Sequence, residues 1–160
     1  MIGIISDTHD NLEAIDKAVE LLNSSKVSLV IHAGDYVAPF TVPRFGKLTS
    51  PLKGVFGNND GEKRGLANKF SEIGVEIRDF LEFEQDGLRI CVYHGTLSEV
   101  VDALIKSRKY DVIVSGHSHK PEVKKVGGVW SVNPGEVCGY LTGRRTLCLL
   151  KYDEPEIIEF

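Results

Sequence analysis

Five short apolar runs constrain this 160-residue chain more than any other feature, because each breaks off into a polar segment and four of those segments carry a glycine. Met1-Ile2-Gly3-Ile4-Ile5 runs into Asp7-Thr8-His9, Leu29-Val30-Ile31-His32 into Gly34-Asp35, and Gly54-Val55-Phe56-Gly57 into Asn58-Asn59-Asp60. Ile90-Cys91-Val92-Tyr93 runs into His94-Gly95, and Val112-Ile113-Val114 into Gly116-His117-Ser118-His119. Continuous apolar runs of this length are typical of strands buried on both faces.

The stretches between them read as helices first and strands later. Residues 11–24 place Leu12, Ile15, Val19 and Leu22 on one helical face, with Asp10 or Asn11 at the N-cap. Residues 39–48 predict a short helix limited by Pro39 and Pro43, and 62–73 another. Residues 76–84 and 88–93 read as two strands joined by Asp86-Gly87, a hairpin signal. Residues 97–106 predict a helix with Val100, Val101, Leu104 and Ile105 apolar, opened by a Thr96/Glu99 capping box. Residues 122–160 look all-β, with turns at Gly127-Gly128 and around Pro134-Gly135. The expectation is one α/β domain over residues 1–160. Its early strand–helix alternation implies a partly parallel sheet, and its late strands a second sheet or antiparallel additions.

Composition narrows the function. Hydrophobic residues make up 42% and charged residues 26%, which excludes a disordered chain, a collagen-like chain and a coiled coil. The net charge is -4 and the aromatic residues are not interleaved with basic ones, so no nucleic-acid-binding surface is evident. Three cysteines with no C-x-x-C pair predict buried thiols in a reducing compartment rather than disulfides or a structural zinc site. The N-terminus has no basic n-region and meets a charge at Asp7, and no apolar run approaches the ~20 residues of a membrane helix. The reading is a cytoplasmic protein with no membrane partner.

The chemistry gathers at the run ends. Open α/β sheets bind ligands at the carboxyl ends of their strands. The five runs bring Asp7, His9, Asp35, Asn58, His94, His117 and His119 to that edge, a set of oxygen and imidazole donors suited to metal ions. If the exits stay extended, Asp7 and His9 point the same way, as do His117 and His119. Gly34, Gly57, Gly95 and Gly116 each adjoin one of these residues, where a chain must turn sharply. Taken singly, each element has a plain structural reading. Asp-x-His serves as a loop or helix cap, Gly34-Asp35 and Gly57–Gly61 as turns, and His94 as a satisfied core histidine. His32 lies inside its apolar run and reads as core. The conjunction, in order and at strand ends, favours a metal site.

The order Asp7-x-His9, Gly34-Asp35, Gly57-Asn58-x-Asp60, His94 and Gly116-His117-x-His119 resembles the calcineurin-like metallophosphoesterase superfamily. The segments SDTHDN, GNNDGE and NPGE resemble its compact bacterial and archaeal phosphodiesterase branch. The resemblance implies a four-layer α/β/β/α sandwich with the metal site at the C-terminal ends of the strands. It also implies two divalent ions. Asp7, His9, Asp35 and His119 would hold the first, and Asp35, Asn58, His94 and His117 the second, with Asp35 bridging. Manganese is the foremost ion, with nickel, iron, cobalt, zinc and magnesium also suited to mixed N/O ligands.

The implied activity is hydrolysis of a small phosphate-ester substrate, foremost a diester, by a metal-bridging hydroxide. Two ions bring about +4 and Asp7, Asp35 and hydroxide about -3, leaving about +1 to face an anionic phosphate. No protein nucleophile is then needed, which fits the absence of a G-x-S-x-G elbow, a P-loop or a G-x-G-x-x-G fingerprint.

Two departures stand out. Many members have histidine, a leaving-group acid, where this chain has Asn59, an amide that can donate a hydrogen bond but not act as an acid near pH 7. Asn59 and Asp60 are therefore the residues expected near the leaving group. Relatives often have a further histidine where Thr96 stands, and Thr96 reads better as a helix cap. Asn133-Pro134-Gly135 resembles the loop that borders the site in the family and reads equally as a strand-ending turn, while Arg144 and Arg145 read as a solvated turn. The alternatives are a phosphomonoesterase and a non-catalytic binding scaffold like the retromer subunit, which has lost key ligands. The resemblance implies a homodimer or larger homo-oligomer, but no stretch of the sequence marks an interface.

Overall fold

The computed structural model describes residues 1–160. In chain order the elements are β1 (Ile2–Ile5), α1 (Leu12–Ser24), β2 (Leu29–His32), a 3-10 turn (Pro39–Thr41), α2 (Val42–Phe45), β3 (Leu52–Val55), α3 (Lys63–Glu72) and β4 (Ile77–Arg78). Then come β5 (Leu81–Gln85), β6 (Leu88–Val92), α4 (Ser98–Ser107), β7 (Val112–Val114), β8 (Glu122–Val126), β9 (Val129–Asn133), β10 (Thr146–Lys151) and β11 (Glu154–Glu159).

Two sheets form. The first has the order β11-β10-β1-β2-β3-β4 and the second β5-β6-β7-β9-β8. The first is parallel from β1 through β4, with β10 and β11 added antiparallel. In the second, β6, β7 and β9 run parallel between antiparallel β5 and β8.

Alternation along the strands builds the layers. Ile2 and Ile4 of β1 join Leu29, Ile31, Val55, Ile90, Val92, Val112, Val114 and Val132 in a core between the sheets. Ile5 turns the other way and packs with Ala14, Ile15, Ala18, Val19 and Leu22 of α1 and with Leu66 and Phe70 of α3. On the far side, Cys91, Ile113 and Val129 pack with Tyr110 beneath Leu104 and Ile105 of α4. Helices, sheet, sheet and helix make the expected α/β/β/α sandwich. At the start of α1, the Asn11 side chain accepts a hydrogen bond from the Ala14 amide.

Two local expectations are corrected. Residues 76–84 are not one strand: β4 closes the first sheet, and β5 opens the second. Ile77 packs against the helices and Leu81 and Phe83 against the inter-sheet core, and the alternation breaks at Asp79-Phe80, where the chain crosses between sheets. The Thr96/Glu99 capping box does not form either. Leu97 is the N-cap of α4, no side chain caps it, and Glu99 accepts from the Ser98 hydroxyl instead. Nothing in α4 is fully buried, and Leu97 is 55% exposed. His32 is a core residue, fully buried and hydrogen-bonded to Thr8 Oγ1 at 3.2 Å.

Candidate metal centre

The strand exits are turns, not extended segments. Asp7, His9, Asp35, His117 and His119 all have positive φ, between 39° and 67°. An extended exit would carry residue i+2 roughly 7 Å past residue i. The left-handed turns fold each exit back toward the same edge, bringing Asp7 and His9 together and sending His117 and His119 to adjoining groups of ligands, at a backbone cost of about 1–3 kcal/mol each. The exits also brace one another. The amides of Asp7, Thr8, His9 and Asp10 donate to the carbonyls of Gly34, Asp35 and Tyr36, and those of Val137 and Cys138 donate to the carbonyls of Ser6 and Asp7.

Two clusters result. In one, Asp7 Oδ1 lies 3.4 Å from His119 Nε2 and 3.7 Å from His9 Nε2. In the other, Asn58 Oδ1 lies 2.9 Å from His94 Nε2 and 2.7 Å from His117 Nδ1. Asp35 Oδ2 belongs to both, 3.5 Å from His9 Nε2 and 3.3 Å from His94 Nε2. All seven residues that the sequence marked as ligands therefore converge.

The hydrogen-bond inventory fits cations in these clusters. His94 Nδ1 lies 2.7 Å from the Ala33 carbonyl oxygen, which can only accept, so Nδ1 carries the proton and Nε2 offers a lone pair. Three acceptors, His94 Nε2, Asn58 Oδ1 and Asp35 Oδ2, then face one another. Asp7 Oδ1 and His9 Nε2 are buried with no hydrogen-bond partner at all. Ligand atoms about 2.0–2.2 Å from a shared ion stand roughly 3–3.6 Å apart, the spacing of Asp35 Oδ2 from His9 and His94 and of Asp7 Oδ1 from His119, whereas the two Asn58 contacts are of hydrogen-bond length. Burial opposes charging His94, but the Asp35 carboxylate beside it outweighs burial and raises its pKa: a proton meets part of the same demand. The Asp7 carboxylate likewise raises His9, against burial. Burial works against charge on Asp35 as well, yet His94 and the Asn59 amide together hold its pKa well below the usual carboxylate range.

Glu136 is the residue that sequence reasoning missed. It is fully buried, and its Oε2 lies 2.7 Å from His119 Nδ1. It also accepts from the Cys138 thiol, the Tyr140, Leu141 and Thr142 amides and the Thr142 hydroxyl. Burial disfavours its charge, but these bonds, led by His119, hold its pKa down at about 2. As a carboxylate it accepts a hydrogen bond from the His119 Nδ1–H, keeping the proton on Nδ1 and leaving Nε2 free toward Asp7. The available signal was a lone acid in the NPGE segment, within an otherwise uncharged stretch.

Asn59 and Asp60, both expected beside the leaving group, are used differently here. The Asn59 backbone amide donates to Asp35 Oδ1 at 2.8 Å and its side-chain amide to Asp35 Oδ2 at 2.7 Å. Asp60 is buried, and its carboxylate accepts the backbone amides of Asp35, Val37 and Gly57, fastening the β2 exit to the β3 exit. That corrects the placement of Asp60: its oxygens are committed to the loop. Asn133 fastens the edge similarly, donating to the Gly116 carbonyl at 2.7 Å. Arg144 and Arg145 pair with Glu159 and Glu13, away from the clusters.

A two-sheet sandwich that gathers aspartate, asparagine and histidine at its strand exits defines a metallophosphoesterase. The calcineurin-like phosphoesterase superfamily domain matches residues 1–155, and the chain belongs to that superfamily. It is 42% identical over 160 residues to a phosphodiesterase of Methanocaldococcus jannaschii, an alignment covering 99% of this chain and 96% of that protein. The solved structure of an archaeal phosphodiesterase superposes with a TM-score of 0.95 at 40% identity, covering 99% of each chain. Vps29 of Chaetomium thermophilum superposes with a TM-score of 0.73 at 18% identity, covering 99% of this chain and 94% of that one, a likeness of fold alone. No helix is long and apolar enough to cross a membrane.

Proposed function

We propose that this chain is a metal-dependent phosphodiesterase working at a centre of two divalent ions within one domain, residues 1–160. The observation that carries the reading is Asp35 Oδ2, shared between His9 Nε2 at 3.5 Å and His94 Nε2 at 3.3 Å. Asp7, His9, Asp35 and His119 would hold one ion, and Asp35, Asn58, His94 and His117 the other. When bound, the ions supply Lewis-acid polarisation of the phosphoryl group and a water of lowered pKa.

The chain's own residues do the rest. Ala33 and Glu136 orient His94 and His119 so that their Nε2 lone pairs point inward. Asn59 orients Asp35 through two hydrogen bonds, and its amide can neutralise charge by hydrogen bonding but cannot deliver a proton to a leaving group. Mixed nitrogen and oxygen donors suit manganese, the proposed native ion, with nickel, iron, cobalt, zinc and magnesium able to substitute. The buried thiols of Cys91, Cys138 and Cys148 support a reducing compartment, and the cytoplasm is the proposed location. The phosphodiesterase named among the relatives supports diesters over monoesters.

The test is hydrolysis of bis-p-nitrophenyl phosphate by metal-stripped protein. Activity that returns on adding manganese is the expected result. Folded protein that stays inactive with every ion named above contradicts the proposal.

A further inference from the structure

A groove of about 800 Å³ opens beside the centre, with Gly116 and His117 at one end and Lys106 of α4 among its walls. Its volume lies within the range of small-molecule sites. From Ser98 to Lys106, α4 borders it for about 12 Å at 1.5 Å per residue, the length of a nucleoside-sized group.

The floor is the outer face of the second sheet, and its polarity changes along the strands. Under α4 that face is apolar, at Ile113 and Val129. Two residues on, β7 leads to Ser115 and β9 to Ser131, and both line the groove. Charge is biased as well. Lys106, Lys120 and Lys124 line the groove against Asp102 and Glu122, a net of about +1 in a chain of net charge -4. Lys124 is occupied by Glu122 at 2.8 Å, whereas Lys106 is exposed and has no carboxylate partner. The open start of α4, with no side-chain cap, lies at the same rim.

We propose that this groove receives one alcohol arm of the diester, and that the arm it fits is hydroxylated, nucleoside-sized and bears a second anionic group met by Lys106. The inference rests on the phosphodiesterase reading and extends it from bond type to substrate class. Ser115 and Ser131 meet the hydroxyl groups of the arm, and Lys106 sets specificity without touching the reacting atoms.

Two chromogenic diesters separate the claims: the p-nitrophenyl ester of uridine 5′-phosphate, and the same ester with an added 3′-phosphate. Both release p-nitrophenol and both keep the ribose 2′-hydroxyl, so the difference read is that of a second anion in place of the 3′-hydroxyl. The wild-type protein loaded with manganese is expected to favour the 3′-phosphorylated ester about tenfold in kcat/KM, through KM, with the preference shrinking as salt rises. Lys106→Ala should bring the ratio close to one and Lys106→Arg should retain it, while Lys69→Ala on α3 should not change it. Equal use of both esters by the wild type, or a ratio unmoved by Lys106→Ala, overturns the groove assignment and leaves the phosphodiesterase reading standing. Failure to cleave either ester or bis-p-nitrophenyl phosphate overturns both.

Discussion

Glu136 accepts from His119, Cys138, Thr142 and the amides of the 140–142 turn, so one carboxylate both orients an imidazole and folds the loop beside it. Glu136→Gln keeps the size but loses the charge that fixes the His119 tautomer. Metal affinity, measured by calorimetric titration of the metal-free protein, should fall about 10- to 100-fold. Unchanged affinity would make Glu136 a loop anchor only. Asn59 yields a second prediction. With no acid at that position, rates should fall steeply as the leaving-group pKa rises across a series of aryl phosphodiesters, and a flat series would mean that another group delivers the proton. At this scale the sequence marked the residues that converge but not how they do so. Asp7-x-His9 and His117-x-His119 were expected to point together by staying extended, whereas Asp7 and His9 meet through positive φ, and the same kind of turn sends His117 to Asn58 and His119 to Asp7. Spacing conveys side-chain type and order; it does not convey backbone strain held in place by a neighbouring loop. Glu136 stayed hidden because its partners, the 140–142 amides, depend on a turn that no local pattern announced.

Where the strands end, the loops stand close enough to exclude side chains. Gly34 has φ +103°, and a Cβ there would lie 2.7 Å from the Gly57 amide nitrogen and 2.8 Å from His94 Nδ1. Gly34→Ala would force apart the exits of β2 and β3, and it should cost about 3 kcal/mol or more. By contrast, Gly61→Ala meets nothing within 4 Å, and its cost should stay within about 0.5 kcal/mol. Chemical denaturation of the two variants checks the pair, and equal midpoints would contradict the packing argument. Most elements were legible because their apolar periodicity is strong. Leu12 to Ser24 forms α1 with Asn11 as its cap, and the Asp86-Gly87 hairpin joins β5 to β6. Two features were not legible. The crossing at Asp79-Phe80 is marked only by a short break in the alternation between Ile77 and Phe83, which does not by itself separate a bulge from a change of sheet, and the start of α4 carries a capping-box pattern whose cap the fold leaves open.

Across the whole molecule, the two sheets supply one closed inter-sheet core and one edge where unpaired ligand atoms collect. Asp7 Oδ1 and His9 Nε2 are buried without partners, so the metal-free protein holds desolvated polar atoms that a cation would satisfy. Manganese at about 100 times its dissociation constant should therefore add about 2.7 kcal/mol of stability for each site it fills. That corresponds to a melting temperature raised by about 5–10 °C per site, reversed by chelation. No shift in a scanning calorimetry trace would mean that the ion does not bind the folded chain in preference to the unfolded one. The sandwich was legible from the order of the runs, since strands that deliver ligands in sequence need a parallel sheet and late strands need somewhere to pair. Which late strands joined which sheet was not legible. β10 and β11 return to β1, while β8 and β9 extend the second sheet, and that choice depends on contacts far apart in the chain.

Asp35 is where residue, element and molecule meet, so Asp35→Asn tests the account most directly. Metal content by mass spectrometry and kcat/KM on bis-p-nitrophenyl phosphate should be measured on variant and wild type together, with circular dichroism to establish folding. The account predicts two ions per chain in the wild type, fewer in the variant, and a loss of about 10³-fold or more in kcat/KM with the fold retained. A folded variant that keeps both its ions and activity within tenfold of wild type would contradict it.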